Sequence, residues 1–368
     1  MHISAVRAAE QMNSETAPPA FQVRILADDL TGACDAAAPF VRPDRTVRVW
    51  LGSAVGFVAP EPVQAFNTAS RNLAPQDAAL AVAEAAGQLA HAPAQLVFKK
   101  VDSALRGPIA AELIALQQTF DARAILFAPA FPATGRTVRN GTLEIRGSAG
   151  QAERRSMRDL FPAGLQSKIA IIPNAAGIAP ALSSGKSLLL CDATTQHDLD
   201  ALAHAARSLP GLLFAGSAGL ATALANLDGL PAAETPFPRA SRVLLIAGTM
   251  HPTTAQQLDR LAGLPASAAV QTRLLRIEPA PDAGQQIRNE FFQIQPEAIL
   301  MTGGDTALLA SRALGAQSFL LRGEFAPGVP WGIAHGGLLE GRMVIAKSGG
   351  FGAPGLLCDI LKALGRSA

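Results

Sequence analysis

The chain has 368 residues, with 31 Lys+Arg against 29 Asp+Glu and a formal net charge of +2. That balance excludes an electrostatically driven nucleic-acid binder, and 5% aromatics with no tyrosine excludes a base-stacking platform. At 49% hydrophobic and 16% charged the chain buries substantial cores, and its length suits two domains.

Residues 1–20 are polar and Ala/Pro-rich, lack the apolar core of a signal peptide, and read as a disordered extension. No apolar run reaches the ~20 residues a membrane helix needs, so no membrane partner is expected. Cys34, Cys191 and Cys358 are far apart, fit no disulfide framework or zinc spacing, and point to a reducing cytoplasm.

Short apolar runs predict strands at Val23–Leu26, Val47–Trp50, Leu96–Phe98, Ile125–Phe127, Ile169–Ile172, Leu188–Leu190 and Leu212–Phe214. Between them, Ala78–Leu89 and the face Ile109, Leu113, Leu116 and Phe120 have helical period. Strands alternating with helices imply βαβ units around a mostly parallel sheet. Leu227–Ser241 (LDGLPAAETPFPRAS) has three prolines and no period, so it reads as a boundary. Strands restart at Val243–Ala247, Ala298–Met301, Phe319–Leu321 and Met343–Ala346. The expected fold is α/β with two domains, 21–228 and 242–368, joined by a linker at 229–241. Each carries a mostly parallel sheet flanked by helices, with a ligand cleft between them.

Two familiar motifs fail on inspection. SSGKS at Ser183–Ser187 lacks the first glycine of a phosphate loop, since Pro180 stands there. GFGAPG at Gly350–Gly355 has only 13 residues after it, too few for a dinucleotide-binding βαβ unit.

Three N-terminal strings carry the chemistry. ILADDLTGACDAA ends a strand in Asp28 and Asp29, followed by Thr31, Gly32 and Asp35. Acids at the carboxyl end of a parallel strand can hold polyol hydroxyls or act as a general base, or one can cap the next helix. FKKVDSALRGPIAAEL delivers Lys99, Lys100, Asp102, Ser103 and Arg106 into a helix start, where Arg106 can grip a carboxylate with two hydrogen bonds. FAPAFPATGRTVRNGTLEI reads as a long loop with Arg136, Arg139 and Asn140, a positive patch suited to a small anion. Beyond the boundary, AGTMHPTTAQQL, MTGGDTALLA and KSGGFGAPG each follow a predicted strand. Glycines opening a helix let bare backbone N–H groups approach phosphate.

At these residues the chain resembles the four-carbon acid sugar kinase family, formerly a domain of unknown function. ADDLTGACDAA, KKVDSALRG, APAFPATGRTVRNG, CDATTQHDL, AGSAGLA, TGGDTA and KSGGFG stand in that family's order from Val23 onward. The resemblance implies an N-terminal acid-sugar domain and a C-terminal nucleotide domain. It also implies ATP-dependent phosphorylation of D-threonate, D-erythronate or a 3-oxo-tetronate at the terminal hydroxyl. It puts catalysis on Asp28, Asp29 or Asp102, and substrate contacts on Ser70, Arg71, Ser103, Arg106, Arg136 and Asn140. Arg106 is the expected carboxylate anchor. ATP, carrying Mg2+ with few direct protein ligands, is expected on Thr249, His251, Gly303, Gly304, Asp305, Thr306, Gly349 and Gly350. The chain departs from the pattern at GTMH and in a short insert after Ile145. A homo-oligomer is compatible with the sequence. A non-catalytic sugar-acid sensor and a pyridine-nucleotide dehydrogenase are the rival readings: ADP release with a four-carbon acid separates the kinase from the sensor, and an NADH absorbance change without ATP marks the dehydrogenase.

Overall fold

In the computed structural model, residues 22–52, 60–90, 94–146, 152–233, 235–248, 251–263, 270–278 and 280–365 are described. The expected N-terminal extension and Thr249 lie outside these residues. In the N-terminal half the strands are β1 (Val23–Ala27), β2 (Val47–Trp50), β3 (Val63–Asn67), β4 (Leu96–Lys100) and β5 (Ala124–Ala128). After them come β6 (Arg136–Arg139), β7 (Thr142–Arg146), β8 (Ala152–Ser156), β9 (Ile169–Ile172), β10 (Leu188–Cys191) and β11 (Leu212–Gly216). The C-terminal half adds β12 (Arg242–Ala247), β13 (Gln271–Arg276), β14 (Ala298–Thr302), β15 (Ser318–Glu324), β16 (Pro330–His335) and β17 (Met343–Lys347). Helices α1 (Leu30–Ala37), α2 (Pro75–Ala90), α3 (Ile109–Thr119), α4 (Ile178–Ser183), α5 (Gln196–Ala206) and α6 (Ala218–Ala225) belong to the first half. Helices α7 (Pro252–Ala262), α8 (Ala283–Ile294), α9 (Gly304–Ala313) and α10 (Leu356–Leu364) belong to the second.

The central strands read as unbroken apolar runs because both faces are covered. All five residues of β1, β3, β5 and β14 are buried. Each half is mostly parallel, with β3-β1-β4-β11-β5-β10-β9 in one and β13-β12-β14-β17 in the other.

The two expected sheets are one. β2 pairs antiparallel with β15, joining Val47–Trp50 to Leu321–Ser318, so fourteen strands form a single sheet through both halves. Pairing satisfies two strand edges that would otherwise stay open. The antiparallel joints β2/β15, β15/β16 and β16/β17 reverse the second set of parallel strands relative to the first. Twist undoes most of that reversal. Six pairing steps separate β1 from β14, and at roughly 20–25° each they rotate the strands by about 120–150°. The carboxyl ends of both halves therefore open toward one cleft.

The segment expected as a long loop is a second correction. It forms β6 and β7, which pair antiparallel with β8 as a separate three-stranded sheet. Asn140 and Gly141 make its two-residue turn with φ of 50° and 69°, the left-handed pair that an Asn-Gly hairpin needs.

Candidate active site

A cavity of about 400 Å³ lies where the strand ends meet. From the N-terminal half it is lined by Asp29, Thr31, Gly32 and Asp35 of the β1–α1 region, and by Arg71, Lys100, Asp102, Ser103, Arg106 and Arg136. The C-terminal half contributes Gly248, His251, Gly303, Gly304, Asp305, Thr306, Ser348, Gly349, Gly350 and Phe351. Thirteen of the seventeen expected site residues thus face one space.

On the first wall, carboxylates and guanidiniums hold one another. Asp29 caps α1, accepting from the Gly32 N–H at 2.7 Å and the Thr31 hydroxyl at 2.9 Å. Arg71 reaches Asp29 at 2.6 Å and forks onto Asp28 at 2.8 and 2.9 Å. Burial would raise the Asp28 carboxyl, but Arg71, Lys99 and Lys100 hold it below its ordinary value. The three carboxylates Asp29, Asp28 and Asp102 in turn hold Arg71 charged despite its desolvation.

Asp102 accepts from Nε and Nη2 of Arg106 at 2.7 and 2.8 Å, and from the backbone N–H groups of Ala104 and Arg106. Against its burial, these contacts and Arg71 keep its carboxyl well below the usual carboxylate range. The turn it braces holds Leu105 at φ 57° and Gly107 at φ 89°. Arg106 therefore meets the cavity with one edge of its fork already occupied.

Two cations on this wall have no carboxylate partner among the described residues. Lys100 donates only to the Val101 carbonyl, at 2.9 Å. Arg136 donates to the Thr134 carbonyl at 2.8 Å and lies 4.6 Å from the Phe351 ring, while its Nε is buried without a partner.

The second wall is built of backbone. Gly303 has φ 97° and caps α9, a conformation that favours glycine, and leaves that helix start open to the cavity. A Cβ on Gly304 would run into the Asp29 carboxylate, so the two halves touch at this glycine. Asn72 also crosses between halves, donating to Asp305 at 3.1 Å. Lys347, buried at the end of β17, donates to the carbonyls of Ser348 and Gly349 at 2.9 and 3.3 Å and shapes that turn. Burial brings its pKa down to about 7. Gln257 braces the following turn through the carbonyls of Phe351, Gly352 and Ala353. His251 caps α7 through its Nδ1, and burial together with Arg106, Lys347 and Arg136 lowers its pKa.

Three expected residues do not line the cavity. Asp28 sits behind Arg71. Ser70 is fully buried, hydrogen-bonded to Glu112 and Thr68, and Glu112 in turn pairs with Lys99 at 3.0 Å. Asn140 is an exposed turn residue whose N–H donates to Asp192 at 2.7 Å.

Glu153, Arg155 and Phe351 line the cavity without having been expected there, and Lys100 and Asp35, which stood in the chemistry-bearing strings without an assigned role, line it too. For Asp35 a signal existed: it is the one charged residue in a helix otherwise made of Leu, Thr, Gly, Ala and Cys. Among the described residues no cluster of three metal-ligating side chains occurs, and no helix is long and apolar enough to cross a membrane.

Comparison with known proteins matches this division of the walls. Residues 23–169 match a profile described as a sugar-binding N-terminal domain, and residues 281–357 match a nucleotide-binding C-terminal domain. A D-threonate kinase of Bordetella bronchiseptica is 30% identical over 404 aligned positions, covering 93% of this chain and 97% of the relative. A 3-oxo-tetronate kinase of Pseudomonas savastanoi pv. phaseolicola is 26% identical, covering 93% and 97%. A solved Salmonella typhimurium LT2 protein described as a tRNA synthase superimposes with a TM-score of 0.68 at 20% identity, over 94% of this chain and 99% of that one. At that identity the likeness concerns the fold alone. The relatives make the chain a kinase, and the two profiles give it an N-terminal sugar-binding and a C-terminal nucleotide-binding part. The chain belongs to the four-carbon acid sugar kinase family.

Proposed function

We infer that this kinase transfers the γ-phosphoryl group of ATP to the terminal hydroxyl of a four-carbon sugar acid, with D-threonate the first acid to test. One observation carries the reading. A wall of paired acids and cations and a wall of glycine turns share one cavity and touch at Asp29 and Gly304.

Phosphoryl transfer needs positioning and charge neutralisation more than covalent chemistry from the protein. The phosphates lie along Gly303, Gly304, Gly349 and Gly350, on the N–H groups of the last three and the positive end of α9. Lys100 and Arg136, without a carboxylate partner among the described residues, neutralise charge at the transfer point. Arg106 takes the substrate carboxylate on the edge of its guanidinium that Asp102 leaves open. Asp102 then serves as the holder of Arg106, with Ser103 beside it for a hydroxyl of the acid.

Asp29 and Asp305 line the cavity beside Gly304, which fits a magnesium ion held by one or two carboxylates and phosphate oxygens. When bound, such an ion offsets the negative charge of the phosphates. We place the protein in the cytoplasm, where ATP is present and unpaired cysteines such as the three here persist.

The test is ADP release with a panel of four-carbon acids, together with identification of the phosphorylated product. ATP turnover that ignores every acid in the panel defeats the reading.

A further inference from the structure

Five carboxylates line the cavity, and four of them are held by a neighbour. Asp29 binds Arg71, Asp102 binds Arg106, Glu153 binds Arg155, and Asp305 accepts from the Asn72 amide. Asp35 is the exception. It is 1% exposed, no hydrogen bond or ion pair among the described residues reaches its carboxylate, and its Oδ1 is buried without a partner.

An acid left unpaired in a buried position is costly unless something else uses it. Its place is fixed by α1, whose eight residues are all buried and whose first turn is pinned by the Asp29 cap. The charged groups facing it come from four directions. They are Lys100 at the end of β4, Arg136 on β6, Asp29 at the start of α1 and Glu324 at the end of β15. Cys34, its chain neighbour, is held protonated by burial and by the charges of Asp29 and Asp35.

We propose that Asp35 is the catalytic residue that accepts the proton of the attacking hydroxyl, a role that rests on the sugar-acid kinase reading. The hydroxyl oxygen bonds to the γ-phosphorus of ATP. The bond from that phosphorus to the β,γ-bridging oxygen breaks, and its electron pair leaves with ADP. The hydroxyl proton passes to the Asp35 carboxylate and returns to solvent after the products depart.

A base for this step needs a lone pair that no cation has claimed, and Asp28, Asp29 and Asp102 do not offer one as freely. Burial, reinforced by Asp29 and opposed by Lys100 and Arg136, raises the Asp35 carboxyl to about 6. It is therefore ionised at neutral pH and more basic than an ordinary carboxylate, which suits proton abstraction.

Asp35→Asn keeps the size of the side chain and removes the acceptor. The expected result is a loss of about 10²–10⁴-fold in single-turnover phosphoryl transfer. KM values for ATP and acid should stay within a few-fold, and the limb of the kcat/KM profile near pH 6 should disappear. Asp35→Glu should recover part of the rate with a displaced limb, which a purely structural role would not produce. The wild-type enzyme is run beside both variants. An active wild type matched by an equally active, still pH-dependent Asp35→Asn overturns the assignment and leaves the kinase reading standing. A wild type inactive on every four-carbon acid overturns both. Removing a buried charge favours folding above pH 6, so the thermal midpoint of Asp35→Asn at pH 8 should equal or exceed that of the wild type.

Discussion

The sugar-side wall of the cavity stores its charge in side chains that bind one another, whereas the nucleotide-side wall presents mainly bare backbone. Asp28, Asp29, Arg71, Asp102 and Arg106 form one connected network with Arg71 at its centre, so removing Arg71 strands the buried Asp28. Gly304, Gly349 and Gly350 offer N–H groups instead and need only space. The two walls should therefore fail differently. Damage to the first appears as lost stability or lost acid affinity, and damage to the second as steric exclusion.

The largest effect is expected at the centre of the network. Arg71→Met removes the only cation among the described residues within salt-bridge distance of Asp28, whose side chain is 2% exposed. Leaving a buried charge uncompensated costs about 3–5 kcal/mol. The pH dependence should also change sign. In the wild type the Asp28 pKa is depressed, so its contribution is present above the unfolded value and lost as pH falls through the folded one. Without Arg71, burial dominates and the Asp28 pKa moves up, so the variant should gain stability as pH falls toward about 4. Urea midpoints from pH 4 to 8 read both trends. A variant as stable as the wild type at pH 7 would mean the network is decorative.

That network also marks what the sequence could tell and what it could not. The strand ends were legible because fully buried parallel strands are continuous apolar runs, as with Ile125–Phe127 and Leu188–Leu190. The glycine turns after β14 and β17 were readable because three glycine- and hydroxyl-rich turns follow predicted strands in one half, where a single Gly-Gly would more often be a tight turn. The joining of both halves through β2 and β15 was not, since the pairing links residues some 270 positions apart and leaves no local trace. Nor could the spacing of Asp28, Asp29 and Asp35 say which acid was free. Asp28 and Asp29 look the more chemical pair in sequence, yet Arg71 occupies both. The hairpin at Asn140 was missed although Asn-Gly between alternating residues is a hairpin signal, because its arginines drew the reading toward a binding loop.

A smaller effect is expected at the rim. Arg106 is 56% exposed, and its loss leaves Asp102 with two backbone N–H groups and Arg71 at 3.8 Å. Arg106→Ala should leave the fold intact and remove a charge-assisted contact to the substrate carboxylate. Such a contact is worth about 1.5–3 kcal/mol, roughly ten- to over a hundred-fold. Steady-state kinetics should place the loss in the sugar-acid KM with the ATP KM little changed. A change confined to the ATP KM would move the carboxylate anchor to another residue.

The last prediction concerns the place where the comparison between the walls should break down. Gly304 belongs to the backbone wall, yet the atom a Cβ would meet there is Oδ2 of Asp29, on the charged wall. Gly304→Ala therefore cannot be a pure nucleotide-site defect. The added methyl must push Asp29 off its cap and away from Arg71, or hold the two walls apart. Overpacking of this kind costs about 1–3 kcal/mol, and the loss should be shared between the KM for ATP and the KM for the acid. Shortening the obstructing side chain gives the control. In Gly304→Ala/Asp29→Ala the clash with the carboxylate is relieved and only the Asp29 Cβ remains close, so the affinity for ATP without magnesium, measured by calorimetry, should recover part of the loss, a coupling that a double-mutant cycle resolves. Additive losses in the double variant would show that the walls do not touch in solution, and that the cavity is assembled only when substrates draw the halves together.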